Sequence, residues 1–520
     1  MKKLHRIALA LLLAVVSIGH SQSTRGGTFS LPINDDPQMW PLVGGLYNIL
    51  VNKALYSTLL RYDPETLEPV GDLAESYSVS DDGLTYTFKL RDGVTWHDGH
   101  PFDAADVAFT IGLWIDPEVP YYLASNFRLI ESVEVVDRLT VEVKLSAPQA
   151  SLPVLLGYNA NILPQHLLEG LSPAELTNPT SFTRNPVGTG PFKFAEYQPG
   201  SHVRLVRYDD YFDGVPYLDA IVFRIVPDAN AQLALLQSGE LDLVVIEPFQ
   251  VGSVANNPSI AVRSVPAVRT EFVTLNNTVP GLDDPRVRTA LAMALDRAQL
   301  LRTVFADRGS VATGPFPPTM IGAYDSSIEP LPYDPEAASR LLDEAGWTVG
   351  PDGVRQKDGQ RLDLEILYDP ASPTRTQVSL IAQQQWAAVG VASHFDTTEY
   401  GTILTRVRQE VPAYEVNPNY LVTAPDPDGI ANYYVSGSLA NMMKYSNPEV
   451  DRLFNEGAAV TDPEERARIY HALHAIIQEE QPNIYLVYPD EIQALSAQTE
   501  HFPVTGYRDA LAWAHLISKR

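Results

Sequence analysis

Hydrophobic and polar residues alternate strictly over 84–91: Leu84, Tyr86, Phe88 and Leu90 fall on one side, Thr85, Thr87, Lys89 and Arg91 on the other. That period of two predicts a strand with one buried face. A polar turn follows, with Gly93 and then Asp98-Gly99. Asp103 stands where a helix N-cap belongs, ahead of Ala104-Ala105-Asp106-Val107-Ala108-Phe109. Helical spacing runs through Ile49, Leu50, Ala54, Leu55 and Leu59 within 48–62. Two alternating runs within 133–145, joined near Asp137-Arg138, predict a hairpin. Further strands are expected at 203–208, 221–226, 241–246, 272–276 and 362–368, with a short helix at 231–237 stopped by Gly239.

The C-terminal half repeats one local device. Asp284-Pro285, Asp334-Pro335, Asn447-Pro448 and Asp462-Pro463 each put a capping side chain before a proline. Asp or Asn satisfies free N–H groups, and proline at the first helical position loses nothing, because its missing N–H had no partner. The first of these helices is expected to bury Val287, Ala290, Leu291, Ala294 and Leu295, and the last Ile469, Tyr470, Leu473, Ile476 and Ile477. Helices alternating with strands make the class α/β.

Composition narrows the reading. A chain of 520 residues exceeds one ordinary core, so two or three domains are expected. Apolar content of 45% and charged content of 19% are globular values. A net charge of −27 argues against binding nucleic acid or an anionic lipid surface through bulk electrostatics. Lys2, Lys3 and Arg6 precede an apolar run over 7–18 and small residues at Gly19, Ser21 and Ser23. The pattern predicts a cleaved export signal over 1–23, because a membrane span needs about 20 apolar residues. Cysteine is absent, which excludes disulfides, thiolate metal sites, cysteine nucleophiles and a lipidated cysteine tether. The expected location is a periplasm-like space, free of a lipid anchor.

Enzyme signatures are missing: there is no GxSxG, HExxH, P-loop or GxGxxG. His97-Asp98-Gly99-His100 offers metal-capable side chains, but Gly99 breaks any helix that would align the imidazoles, so a solvated turn is expected. His471 and His474 stand at i, i+3 without a third ligand, which reads as a partly exposed helix face. Acidic pairs such as Asp81-Asp82, Asp209-Asp210, Asp283-Asp284 and Glu479-Glu480 suit a glycosidase's carboxylates or plain turns and caps equally well. No metal or cofactor is therefore expected. Over 420–434, Asp426-Pro427-Asp428-Gly429 is a strong turn signal with tyrosines on both sides.

The string LTYTFKLRDGVTWHDGHPFDAADVAFT over 84–110 resembles the signature of the family 5 extracellular solute-binding proteins of ABC importers, the oligopeptide, dipeptide and nickel-binding type. Further blocks resemble that family in its order: LYSTLLRYDPETLEPVGDLAESYSVSDDGLTYTF, NPVGTGPF, ALLQSGELDLV, LDDPRVRTALAMALDR, ATGPFPP, YDPEAASRLLDEAGW and YSNPEVDRLFNEGAAVTDPEERARIYHALHAIIQEEQPNIYLVYP. The glycines of NPVGTGPF suit a turn with positive φ.

The resemblance implies a two-lobed periplasmic-binding-protein fold of the large three-domain type, with a hinge and a ligand cleft. Lobe I would comprise 24–52, 173–268 and 486–520, with a small α/β domain inserted over 53–172, and lobe II would run over 269–485. Hinge crossings are expected near 269–272 and 481–485. The implied mechanism is binding, closure and delivery to an ABC permease, by a monomer.

In the family the loop corresponding to 420–434 carries an Asp that pairs with a peptide's α-ammonium group. Here that place falls on Thr423, with Tyr420 at the aromatic position and Asp426-Pro427 following. A hydroxyl cannot neutralise an ammonium, so the substitution opens the reading to oligosaccharides and other neutral polar solutes beside peptides. Tyr488, Trp40 and Tyr47 are further cleft candidates, since tyrosine and tryptophan cover sugar rings and peptide backbones alike. Arg375 is a candidate partner for a ligand carboxylate. The rival class is a secreted hydrolase. A chemosensory binding role and capture of a chelated nickel are the remaining alternatives.

Overall fold

The computed structural model describes residues 25–320 and 322–520, so the export signal expected over 1–23 lies outside the described residues. Three larger sheets carry the architecture. In the first, Thr28–Ile33 pairs in parallel with Ala220–Ile225, which continues antiparallel to His202–Arg207 and Phe192–Gln198. Phe29, Leu31 and Ile33 alternate inward and are buried against Val203, Leu205, Ile221 and Phe223.

The second sheet takes Ala74–Val79, Thr85–Leu90, Thr140–Leu145 and Ile130–Asp137 in antiparallel order. Its alternation is the one read in the sequence: Tyr86, Phe88 and Leu90 are buried and Lys89 is exposed. Helix Ala104–Ile115 packs across it, started by an Asp103–Asp106 capping box. The four Asp/Asn-Pro sites start Pro285–Met293, Pro335–Glu344, Pro448–Ala459 and Pro463–Glu480, each capped by the expected side chain.

The third sheet has eight strands and is organised by one long strand, Asn483–Ser496. Its first half pairs with Arg269–Leu275 and Gly309–Val311, its second half with Leu243–Ile246 and Ile260–Pro266. The exchange of partners falls at Pro489-Asp490, opposite Gly309 and Pro266. The chain passes from one set of the long strand's partners to the other at 266–269. Gln481 is the left-handed C-cap of helix Pro463–Glu480, and Arg288 donates to the carbonyls of Glu480 and Gln481.

Two further readings change. The helical spacing over 48–62 ends early: the helix is Leu46–Leu55, Tyr56 is extended, and Leu60–Tyr62 is a buried strand paired with Pro69–Gly71. The glycines of NPVGTGPF serve close approach, not positive φ. A Cβ on Gly188 would lie 2.0 Å from the Leu55 carbonyl oxygen, and one on Gly190 2.6 Å from that of Ala54. That contact lets the Gly190 N–H cap the helix end by donating to the Leu55 carbonyl at 2.9 Å. Among the described residues no helix is long and apolar enough to cross a membrane.

Candidate ligand-binding cleft

Where the long strand exchanges partners, the chain encloses a cavity of about 370 Å³. Its walls come from several parts of the molecule: Glu247 and Asp490 beside the crossing, Tyr158 from helix Leu152–Tyr158, and Arg269, Thr374 and Thr423. The volume lies at the small end of the roughly 300–1,000 Å³ usual for ligand sites.

Arg269 and Glu271 stand two apart on strand Arg269–Leu275 and so point the same way. The Arg269 Nε donates to Glu271 Oε1 at 2.7 Å. Burial works against the Arg269 charge, but the neighbouring Glu271 and Tyr420 outweigh it and hold the guanidinium above its usual value. Burial pushes the Glu271 carboxyl up, and Arg269 partly restores it. Tyr420, opposite Glu271 on strand Val416–Val422, carries Arg269 over its ring at 4.2 Å and Arg375 at 5.3 Å. Arg375 also lies over Tyr400 at 4.7 Å and has no ion pair within 4.0 Å among the described residues. Two guanidinium groups thus share one carboxylate, Glu271, and Arg269 keeps 37% of its side chain open.

Two carboxylates, Glu247 and Asp490, line the same cavity, and the Glu247 charge reaches Arg269 and Glu271. Glu247 starts the 3-10 turn Pro248–Gln250, and Asp490 is held by burial above the usual carboxylate range despite Ser264 and Arg308. Neither has an ion pair within 4.0 Å among the described residues. Asp509, which also lines the cavity, is paired with the buried Lys53 at 3.5 Å. The cavity lining therefore carries charge of both signs.

Of the residues singled out in the sequence, Thr423 lines the cavity, and Tyr420 and Arg375 form the guanidinium cluster at its edge. Tyr47 packs partly buried against the core, between Leu46 and Ile49, which do line the cavity. Three others are committed elsewhere. Asp426 is buried and held by both terminal nitrogens of Arg466 at 2.9 Å. Tyr488 is buried, its hydroxyl accepting from the Gly314 N–H at 2.9 Å and donating to the Gly314 carbonyl at 3.0 Å. Trp40 is buried with its indole N–H on the Leu176 carbonyl at 2.9 Å. Buried polar atoms need such partners, and these side chains found theirs in backbone or in Arg466.

Sequence reasoning missed Arg269, Glu247 and Asp490. A signal existed for the first: RTEFVTL carries two charges at i, i+2 on an otherwise buried-type strand. The histidines also differ in part from expectation. His474 is fully buried, its Nδ1 accepting from the Asp325 N–H at 3.3 Å and its Nε2 lying 3.2 Å from the Thr313 hydroxyl. Burial drives its pKa down to about 4. Among the described residues no group of three or more metal-capable side chains comes together.

The model of the bacterial extracellular solute-binding proteins, family 5 (middle), matches residues 68–442. The chain belongs to that family. It is 31% identical over 472 residues to the glutathione-binding protein GsiB of Escherichia coli O1:K1, covering 88% of each chain. It is 30% identical to the probable di/tripeptide-binding protein 5 of Pseudomonas aeruginosa, covering 96% of this chain and 97% of that one. Among solved structures, the ABC transporter substrate-binding protein CtaP of Listeria monocytogenes superposes with a TM-score of 0.85 at 28% identity, over 95% of this chain and all of that one. This family 5 protein is thus an extracellular or periplasmic substrate-binding protein of an ABC transporter, with the two-lobed fold expected from the sequence. Its relatives are binding proteins, and nothing in the comparisons supports the hydrolase alternative.

Proposed function

We propose that this family 5 protein captures a short peptide with free termini and presents it to its permease as a monomer. The observation that carries the reading is the charge layout of the cavity. Arg269 and Arg375 around Tyr420 suit a ligand carboxylate, and Glu247 and Asp490, which line the same cavity, suit an ammonium group. Those two acids supply the negative charge that Thr423 lacks. The oligosaccharide reading keeps Thr423 but loses its aromatic platforms, because Trp40 and Tyr488 are buried and the Tyr420 ring is occupied by guanidinium groups. A small cavity also suits a short ligand better than a long one.

The test is a thermal-unfolding screen of protein stripped of ligand by unfolding and refolding. The panel pairs short peptides with their N-acetylated and C-amidated forms and adds oligosaccharides. A ligand at 100 times its Kd adds about 2.7 kcal/mol of stability. Free peptides are expected to shift the transition and both blocked forms to shift it less. A shift by oligosaccharides alone would overturn the proposal.

A further inference from the structure

A second cavity, of about 240 Å³, adjoins the first. Two pieces of chain form walls of both. Leu67 lines each cavity, and the loop after strand Val416–Val422 gives Thr423 to the first and Pro425 and Asp426 to the second. Leu67 adopts a left-handed backbone, φ 61°, which a branched side chain rarely does. The Asp63 carboxylate holds it there by accepting from the N–H groups of Glu65 and Thr66, while the Leu67 N–H donates to the Asp63 carbonyl at 2.9 Å. Strain maintained in this way marks a place where side-chain direction matters.

The second cavity joins apolar walls to negative charge. Tyr77, Val154 and Ala467 line it together with Glu68 and Asp426. Glu68 has no ion pair within 4.0 Å among the described residues. It stands near enough to Tyr77 for its charge, after burial, to push the phenol up. Arg466 also lines the cavity, but it is shared between Asp426 at 2.9 Å and Asp428 at 3.2 Å, so one negative charge is left over. Apolar walls suit a methylene stem, and a carboxylate beside an aromatic ring suits the cation at its tip.

We infer that this second chamber receives a basic side chain, lysine or arginine, of a peptide whose backbone lies in the main cleft, an inference that rests on the peptide reading above. The turn at Leu67 and the loop over 423–426 then act as the rim over which that side chain passes.

The experiment is titration calorimetry of the full ligand-free chain with trialanine and with its lysine, norleucine and glutamate variants at each position. At one position lysine is expected to bind roughly tenfold more tightly than norleucine, and glutamate more weakly than either. Glu68→Gln should bring the lysine-to-norleucine ratio towards one. Ala467→Phe, which fills the chamber from helix Pro463–Glu480, should weaken both long side chains and spare trialanine. Equal binding of lysine and norleucine at every position, or a lysine preference that survives both substitutions, overturns the chamber while leaving the peptide reading intact. Failure of every peptide to bind overturns both.

Discussion

Arg466 and Arg269 both neutralise buried carboxylates, with opposite charge balance around them. Arg466 faces two acids, Asp426 and Asp428, and is closed in, with 15% of its side chain open. Arg269 pairs with Glu271, with Glu247 further off, has a second guanidinium nearby at Arg375, and opens to the cavity. Burial alone would weaken the Arg466 charge, yet Asp426 and Asp428 outweigh it and hold the guanidinium well above its usual value. The first cluster ties the loop over 423–430 to helix Pro463–Glu480; the second is the one we propose meets a ligand carboxylate. Neither cluster cancels: one negative charge is left over around Arg466 and one guanidinium, Arg375, lacks an ion pair near Arg269, so the two differ in the sign of what remains.

The sharpest way to break this comparison is Arg466→Ala. It strands two carboxylates in a buried place, so a loss of about 3–5 kcal/mol is expected, read from urea unfolding. A loss much below that would mean that the acids are not both charged. The next test follows from Asp428, whose pKa is pushed up to about 6 by burial first and by the Asp426 charge second. The folded form holds this proton more tightly than the unfolded chain. Its contribution is therefore fully present below about pH 4, declines as pH rises to about 6, and is flat above. Asp428→Asn stays neutral throughout. Relative to wild type, the variant should gain on the order of 3 kcal/mol between pH 4 and pH 7. A difference that does not change with pH would show Asp428 ionised at both.

At the other cluster the expected effect moves from stability to affinity. Arg375→Gln removes a guanidinium that has no carboxylate of its own, so the melting transition should hardly move. Affinity for a free-carboxylate peptide should fall roughly 10- to 100-fold, or about 1.5–3 kcal/mol. The C-amidated peptide should be nearly indifferent to the substitution, and the difference between the two peptides isolates the contact. If both peptides lose affinity equally, Arg375 shapes the wall and does not pair with the ligand.

Local structure was legible wherever one residue type has one physical job. Asp103 and the four Asp/Asn-Pro starts cap their helices as read, because a cap is decided within four residues. The alternation at 84–91 marked its buried face for the same reason. What stayed hidden depends on partners distant in sequence. Leu59 fits a helical stripe, but the strand pairing of Leu60–Tyr62 overrides it. Asp426 looked like a ligand contact until Arg466, forty residues on, was placed beside it. The cavity was half visible: Tyr420 and Thr423 were singled out through the loop and Arg375 separately as a partner for a carboxylate, while Glu247 and Asp490 join the lining where the long strand changes partners at Pro489-Asp490.

Tyr488 gives the smallest effect and separates the two kinds of aromatic that the sequence could not tell apart. Its hydroxyl bonds to the backbone of Thr313 and Gly314, beside the His474 ring, so its work lies inside the core. Tyr488→Phe keeps the ring and removes the acceptor, leaving the buried Gly314 N–H and carbonyl without their partner. The expected cost is about 1–2 kcal/mol of stability, with peptide affinity unchanged. Tyr420→Phe should leave both stability and peptide affinity unchanged. Its hydroxyl is on a half-exposed ring and the guanidinium groups rest on the ring itself, so neither stability nor the arginine geometry depends on it. A loss of affinity in Tyr488→Phe would place the core tyrosine back in the cleft and erase the distinction between the two.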